Sequence, residues 1–332
     1  MKSYIFMTNI SLISTIFVLF NTTACDLLPV NQQVFIETED ATLYANIRGR
    51  DEKAPVLLYL HGGPGSPLGI PLLRAYAGPQ LEESFILIYL HQRGIMKSPR
   101  VPDSTHTLNN YVNDIHHVVQ FLKKNFAKRD IYLLGHSWGG VLGYLYLLEN
   151  QNDIKKFVAV CTPINAKSMI FGRIDMILKW AESTNNQKAI KELTPLKDRS
   201  PHEHAADFKI LGKWMSRAHG GWHRNLDRAR INQAVEYEDL LPKWLDEQQQ
   251  IEDIMQETLL QINLEDRIQE IKVPLLCIVG KEDVDVPWYL VEKDIKKYGG
   301  EKTFVLFKNS HHMVFIDEED LFISTVVKFL KS

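Results

Sequence analysis

Ile131-Tyr132-Leu133-Leu134-Gly135-His136-Ser137-Trp138-Gly139-Gly140 is the stretch whose reading decides the fold. Its first four residues are a short apolar run of strand type. Gly140-Val141-Leu142-Gly143-Tyr144-Leu145-Tyr146-Leu147-Leu148 beyond it reads as a buried helix. A Gly-x-Ser-x-Gly string means little alone, but at a strand-to-helix junction it has a mechanical meaning. The turn is so tight that a side chain on either flank would clash, so glycine stands at 135 and 139. Ser137 is thereby lifted above the sheet edge with its Oγ exposed, and the helix N-terminus points at any developing negative charge.

Working outward, Val34–Thr38 and Ala41–Ile47 read as two strands joined by a turn at Glu39-Asp40. The runs at 56–60, 85–90, 131–134 and 157–161 read as further strands, with a helix striped by Tyr111, Ile115, Val118 and Leu122 before the third of them. Strands alternating with helices predict an α/β fold, a mainly parallel sheet flanked by helices. Alternation stops near Thr162-Pro163 and resumes at Val273–Val279, followed by a helix around Trp288–Lys297, a strand at Thr303–Phe307 and a closing helix near Asp320–Leu330. The stretch between is polar, charged and helical in pattern, and too long for a loop. The expected organisation is a core from residues 26–162 and 263–332, with a helical cap at 163–262 inserted between two sheet strands. Such an insertion sits over the carboxyl ends of the strands, where open α/β sheets place ligands.

A serine hydroxyl becomes a useful nucleophile when an imidazole removes its proton, and the imidazole needs an acid to fix its tautomer. On a sheet of this kind the acid and the base follow the serine in that order, each on a loop after a later strand. Gly280-Lys281-Glu282-Asp283-Val284-Asp285-Val286-Pro287 follows the strand at 273–279, and Lys308-Asn309-Ser310-His311-His312-Met313 follows the strand at 303–307. Asp283 and His312 are the first choices; Asp285 and Glu282, and His311, remain alternatives. Backbone N–H groups must also meet the carbonyl oxygen as it gains charge. Trp138, next after the serine, should supply one. Gly63, in His61-Gly62-Gly63-Pro64-Gly65 after the strand at 56–60, should supply the second, because three glycines let the backbone approach a substrate closely.

The 332 residues are 45% hydrophobic and 24% charged, ordinary values for a chain with a large core. The net charge of −3 is spread along the chain without a basic block, so a nucleic-acid partner is not expected. Met1-Lys2-Ser3, an apolar stretch to Phe20, and Asn21-Thr22-Thr23-Ala24-Cys25 form the pattern of a secretory signal peptide over 1–25. Cys25 also resembles the cysteine of a bacterial lipobox, with Thr22 where Leu, Val or Ile is usual. Export is expected, with a lipid on Cys25 holding the protein at a membrane surface; release by simple cleavage is the alternative. Cys161 and Cys277 sit in strand-like apolar runs and read as buried thiols rather than a disulfide framework. His202, His204 and Asp207 lack a further ligand at recognisable spacing, so no metal is expected.

His-Gly-Gly-Pro-Gly at 61–65, Gln92-Arg93-Gly94 with Ser98, and Gly-His-Ser-Trp-Gly-Gly at 135–140 together resemble the proline iminopeptidase family of the α/β-hydrolase fold. The resemblance covers nearly all of the chain outside the signal and the cap. It implies a triad of Ser137, Asp283 and His312, oxyanion donors at Gly63 and Trp138, a cap that shapes the pocket, and no cofactor. Two departures stand out. His91 replaces the aspartate that usually precedes Gln-Arg-Gly, leaving Arg93 without a local acidic partner. The Trp-x-x-Trp-Glu string, whose cap carboxylate helps hold a substrate amine in that family, is absent.

A buried cation needs a carboxylate, and Glu236 and Glu238 are the cap residues considered for that role. Trp214 and Trp222, two of four cap tryptophans with Trp180 and Trp244, are considered for the pocket wall, and the alternative is that the tryptophans form the cap's own small core. The expected function is a serine hydrolase working through an acyl-enzyme, of the proline iminopeptidase kind, releasing N-terminal residues from small peptides. The alternatives are a carboxylic ester hydrolase and a non-catalytic surface-binding protein on a hydrolase scaffold.

Overall fold

The computed structural model describes residues 30–66, 68–197, 205–218, 226–234 and 241–332. The core begins with strands β1 (Gln32–Glu37), β2 (Thr42–Arg48) and β3 (Val56–Leu60), then short helices α1 (Gly69–Ala75) and α2 (Gly78–Leu81) and strand β4 (Ile86–Leu90). It continues through α3 (Leu108–Asn125), β5 (Ile131–His136), α4 (Trp138–Asn150) and β6 (Lys156–Val160). Helices α5 (Ala166–Ser183), α6 (Gln187–Leu193), α7 (Ala205–Arg217), α8 (Arg228–Ala234) and α9 (Leu241–Leu260) come next. The chain then returns to the sheet with β7 (Leu275–Gly280), α10 (Trp288–Ile295), β8 (Lys302–Phe307), α11 (Val314–Asp317) and α12 (Glu319–Lys331).

The strands form one sheet in the order β1-β2-β4-β3-β5-β6-β7-β8. β1 and β2 run antiparallel to their neighbours, whereas β4-β3-β5-β6-β7-β8 are parallel. Their sequences explain this. β3, β4, β5 and β7 are buried along their whole length, as strands covered by helices on both faces must be. Helix α3 buries Tyr111, Ile115, Val118 and Leu122 against one face, and Thr107 caps its N-terminus by accepting from the Asn110 N–H. Tyr76, Phe315, Phe322 and Val326 belong to the apolar cluster on the other face.

From β3 the chain goes to β4 on one side, and β5 then lies on the opposite side of β3. This reversal opens a crevice at the carboxyl ends of β3 and β5, where ligands of such sheets bind. Leu60 is paired with Gly135 across these strands, so the glycine-rich loop and the serine turn leave the sheet side by side.

The insertion leaves and rejoins the core at one point. Asn165 and Asn263 form an isolated antiparallel bridge, flanked by Ala166 N–H donating to Ile262 O and Leu264 N–H donating to Ile164 O, each at 2.9 Å. Asn165 also caps α5, its side chain accepting from the Ser168 N–H at 3.1 Å. Ile170, Ile174, Ile177, Leu193, Leu211 and Trp214 form the insertion's own apolar cluster, which takes in Val284 from the loop after β7. Helix α8 is tied to α12 by the bidentate pair Arg230–Glu319, at 2.8 and 3.0 Å. Among the described residues no helix is long and apolar enough to cross a membrane. Residues 1–25, including Cys25, lie outside the described residues, as do His202 and His204.

Candidate active site

Ser137 occupies the sharp turn between β5 and α4 with φ 54° and ψ −122°, a backbone conformation costly for any residue with a side chain. The turn closes tightly: Ser137 N–H donates to Val160 O at 2.8 Å, and Gly140 N–H donates back to Ser137 O at 2.9 Å. A Cβ on Gly135 would stand 2.6 Å from Gly139 O, and one on Gly139 would collide with Leu60 O. The two flanking glycines are therefore required by close approach of backbone to backbone.

Asp283 and His312 arrive on the loops after the last two parallel strands, β7 and β8. His312 Nδ1–H donates to Asp283 Oδ2 at 2.9 Å, with both side chains buried. The other oxygen, Asp283 Oδ1, accepts from the N–H groups of Asp285 and Val286 at 2.8 and 2.9 Å. The loop thus saturates the carboxylate and aims it at the ring. Burial of the imidazole favours its neutral form, but Asp283, and then Asp285, outweigh this and hold its pKa above the ordinary 6.5. His312 has no hydrogen bond to Ser137 among the described residues; its Nε2 lies 3.7 Å from Oδ2 of Asp285, which lines the same cavity as Ser137.

His136, just before the serine, holds His312 from below. Its Nε2–H donates to His312 O at 3.0 Å, and the two rings lie 4.7 Å apart. Full burial pulls its pKa down to about 3, so it stays neutral and acts as a strut rather than a charge. Cys161, just beyond β6, is also fully buried; its Sγ lies within 4.8 Å of ligand atoms on Asp283 and His312, and burial pushes its thiol pKa up. A buried, protonated thiol is a packing group here.

On the opposite side stands the loop after β3. Gly63 has φ +123°, and a Cβ there would run into the backbone N–H groups of Gly65 and Ser66. Gly63, Pro64, Ser137 and Trp138 line one cavity of about 820 Å³, and among the described residues no protein group accepts from the amides of Gly63 or Trp138. Two unused N–H groups beside a hydroxyl that lines the same cavity can meet a developing oxyanion. Gln92 holds these parts together. Its Nε2–H donates to His61 O at 2.8 Å, and its Oε1 accepts from the Trp138 indole at 3.1 Å. Gln92 was visible as part of a motif, but its bridging role depends on the crossover that sets β3 between β4 and β5.

The acidic partners of Arg93, absent locally, come from afar. Arg93 makes a bidentate pair with Asp114 of α3, both contacts at 2.8 Å, and reaches Asp40 in the β1–β2 turn at 2.9 Å. Ser98 Oγ donates to His91 O at 2.8 Å and accepts from Tyr44 N–H, which pins the same loop to β2.

The far wall of the cavity comes from the insertion. Ala166, Met169, Ile170 and Arg173 of α5 face Glu252, Gln256 and Leu259 of α9. Trp214 is not on this wall. It is buried in the insertion's own cluster, its indole donating to Glu192 at 2.8 Å and its ring 6.4 Å from Trp180. A large aromatic in a small helical layer is captured by the nearest apolar core, so Trp214 takes the cap-core alternative rather than the pocket wall. Trp222, Glu236 and Glu238 lie outside the described residues. The carboxylates that the structure does bring to the cavity are Glu252, Asp253 and Asp285. Glu252 accepts from Gln248 at 2.6 Å and has no cationic partner among the described residues; burial raises its pKa. Nothing in the local sequence separates Glu252 from the other acids of a charged helix, since only its packing against α5 directs it inward.

Residues 81–319 match the family described as "Serine aminopeptidase, S33". The chain is 29% identical over 294 residues to the Bacillus subtilis protein "Probable aminopeptidase YbaC", covering 84% of this chain and 90% of that protein. It is 26% identical over 304 residues to the proline iminopeptidase of Lactobacillus acidophilus, covering 87% and 94%. The crystal structure of proline iminopeptidase from Mycobacterium smegmatis superposes with a TM-score of 0.69 at 16% identity, covering 90% of this chain and 98% of that one. At that identity the likeness speaks for a shared fold.

Proposed function

Since the chain belongs to the serine aminopeptidase S33 family and is an α/β-hydrolase enzyme, we propose that it cleaves the N-terminal residue from small peptides through an acyl-enzyme on Ser137. The observation that carries this reading is the His312–Asp283 pair at 2.9 Å, with His312 Nε2 3.7 Å from Asp285, which lines the same cavity as Ser137, Gly63 and Trp138. In the proposed reaction Ser137 Oγ attacks the scissile carbonyl while His312 Nε2 takes its proton. The amides of Gly63 and Trp138 hold the oxyanion, each contributing about 3 kcal/mol of barrier lowering. The imidazolium then gives its proton to the leaving amine, and water attacks the acyl-enzyme by the same route in reverse. The helical insertion caps this centre and sets the size of the residue removed.

Glu252 supports a peptide over an ester. A substrate ammonium entering a closed cavity needs a carboxylate, and Glu252 is an acid on the cavity wall whose raised pKa reflects burial without a cation. An N-terminal amine placed there would restore its charge. The Cys25 pattern further supports a lipid-anchored, exported enzyme; Cys25→Ala should move it from the membrane fraction to the soluble one.

A fluorophosphonate probe tests the nucleophile: the wild type should be labelled and Ser137→Ala should not, and equal labelling would sink the assignment. Proline-naphthylamide against short p-nitrophenyl esters tests the substrate class. Turnover of esters alone would replace the aminopeptidase reading by an esterase one.

A further inference from the structure

His312 lies between two carboxylates, and only one is needed to orient a base. Asp283 holds Nδ1. Asp285, two residues later, stands on the Nε2 side with its Oδ2 at 3.7 Å, beyond hydrogen-bond reach but well inside Coulomb range. It is held there from the insertion: an N–H of Arg173 on α5 donates to Asp285 Oδ1 at 2.6 Å, and Arg173 Nε–H donates to Asp285 O at 2.7 Å. One guanidinium thus grips both the side chain and the main chain of the residue facing the base.

We propose that Arg173 is a positioning residue that sets the basicity of His312 through Asp285, tying the strength of the general base to the seating of cap helix α5. This inference rests on the reading of His312 as the base. An ionised carboxylate on the Nε2 side stabilises the imidazolium and would hold the ring protonated, useless for taking a proton from Ser137. Arg173 opposes this in two ways. It opposes the field of Asp285 at the ring, and it anchors the carboxylate 3.7 Å from Nε2, beyond hydrogen-bond reach.

The groups facing this cluster are few enough to name. Asp283 and Asp285 come from the loop after β7, Arg173 from α5, His136 from the end of β5 and Cys161 from the end of β6, while Glu252 of α9 feels the charge of Asp285 across the cavity. His136 is neutral and Cys161 protonated throughout the working range, which leaves the two aspartates and Arg173 as the charges nearest the ring among the described residues. Burial disfavours a charged Asp285, yet Arg173 above all keeps its pKa below the ordinary value, so it is ionised whenever the base is working.

The test is a double-mutant cycle read as the pKa of His312, by NMR titration of its ring in full-length protein and by the acid limb of kcat/KM. Arg173→Met should raise that pKa by about one pH unit, Asp285→Asn should lower it by a similar amount, and the double variant should follow Asp285→Asn. Arg173→Lys should restore most of the wild-type value. A ring pKa unmoved in Asp285→Asn overturns the proposal, even where Arg173→Met fails to fold. So does an Arg173→Met protein that folds and keeps the wild-type pKa; that would make the pair a simple docking contact. His312→Ala separates the underlying reading: full turnover in that variant would refute the base itself, whatever the titrations show.

Discussion

The indole N–H of Trp138 donates to Gln92 Oε1 at 3.1 Å, and through Gln92 the serine turn is joined to the carbonyl of His61. The two amides proposed to bind the oxyanion belong to different loops, and Gln92 is the side chain that spaces them. Gln92→Leu removes both bonds and leaves a buried indole N–H and a buried carbonyl unpaired. We expect kcat to fall by about tenfold to a hundredfold with KM nearly unchanged, because a shift of an ångström at an oxyanion donor acts on the transition state rather than on binding. Steady-state kinetics on proline-naphthylamide check this; a change confined to KM would count against it.

The pH profile follows from His312. The base works in its neutral form, and the carboxylates around it raise its pKa above 6.5. Activity should therefore be low in acid and rise with pH, with the midpoint of the kcat/KM limb above 6.5. In Asp283→Asn the hydrogen bond would no longer favour the imidazolium, so the limb should move to lower pH while the plateau falls by about 10⁴-fold. A wild-type midpoint below 6.5 would contradict the assignment of the base.

Glu252 predicts a discrimination between substrates. Glu252→Gln keeps the hydrogen bond with Gln248 in reach but removes the charge opposite a substrate ammonium. KM for proline-naphthylamide should rise by about tenfold or more, the worth of one charge-assisted hydrogen bond. Hydrolysis of p-nitrophenyl acetate, which has no amine, should change little. Equal losses on both substrates would remove Glu252 from amine recognition.

The buried pair of Arg93 and Asp114 predicts a loss of stability. The Arg93 side chain is fully buried, and Asp114 nearly so, at 5% exposure. Asp114→Ala would leave a buried guanidinium with only the more exposed Asp40 as a counter-charge. The cost should be about 3 kcal/mol, seen as a lowered midpoint in urea or thermal unfolding. An unchanged midpoint would show that Asp40 alone suffices.

These predictions draw on different depths of the sequence. The parallel sheet was readable from β3, β4, β5 and β7, because strands buried on both faces are continuous apolar runs. Ser137 was readable because its turn admits only glycine at 135 and 139, which is a local demand. Asp283 and His312 were readable by their places after two late strands, with Asp285 and His311 left as alternatives. The structure puts the hydrogen bond on the Asp283–His312 pair. It gives Asp285 a different neighbourhood at Arg173.

Much of the far wall was not readable. A carboxylate on an amphipathic, charged helix carries no local mark of the side it faces, so Glu252 could not be told from Glu257 or Asp246. For Trp214 the sequence leaves two places open, the pocket wall and the insertion's own core, because a large aromatic suits either; the structure puts it in the core. The acids that neutralise Arg93 were hidden for a related reason, since Asp40 and Asp114 lie 53 and 21 residues from it along the chain.

By itself, then, the sequence determined the sheet, the order of its strands along the chain, and the place of Ser137 on its turn. Those depend on hydrophobic period and backbone sterics, which act between near neighbours. Only the tertiary structure decided which carboxylate meets His312, that Gln92 spaces the two oxyanion loops, and that Glu252 and Arg173 reach the cavity. These depend on strand crossovers and on how α5 and α9 pack over the sheet, and neither leaves a mark within a few residues of the side chains concerned.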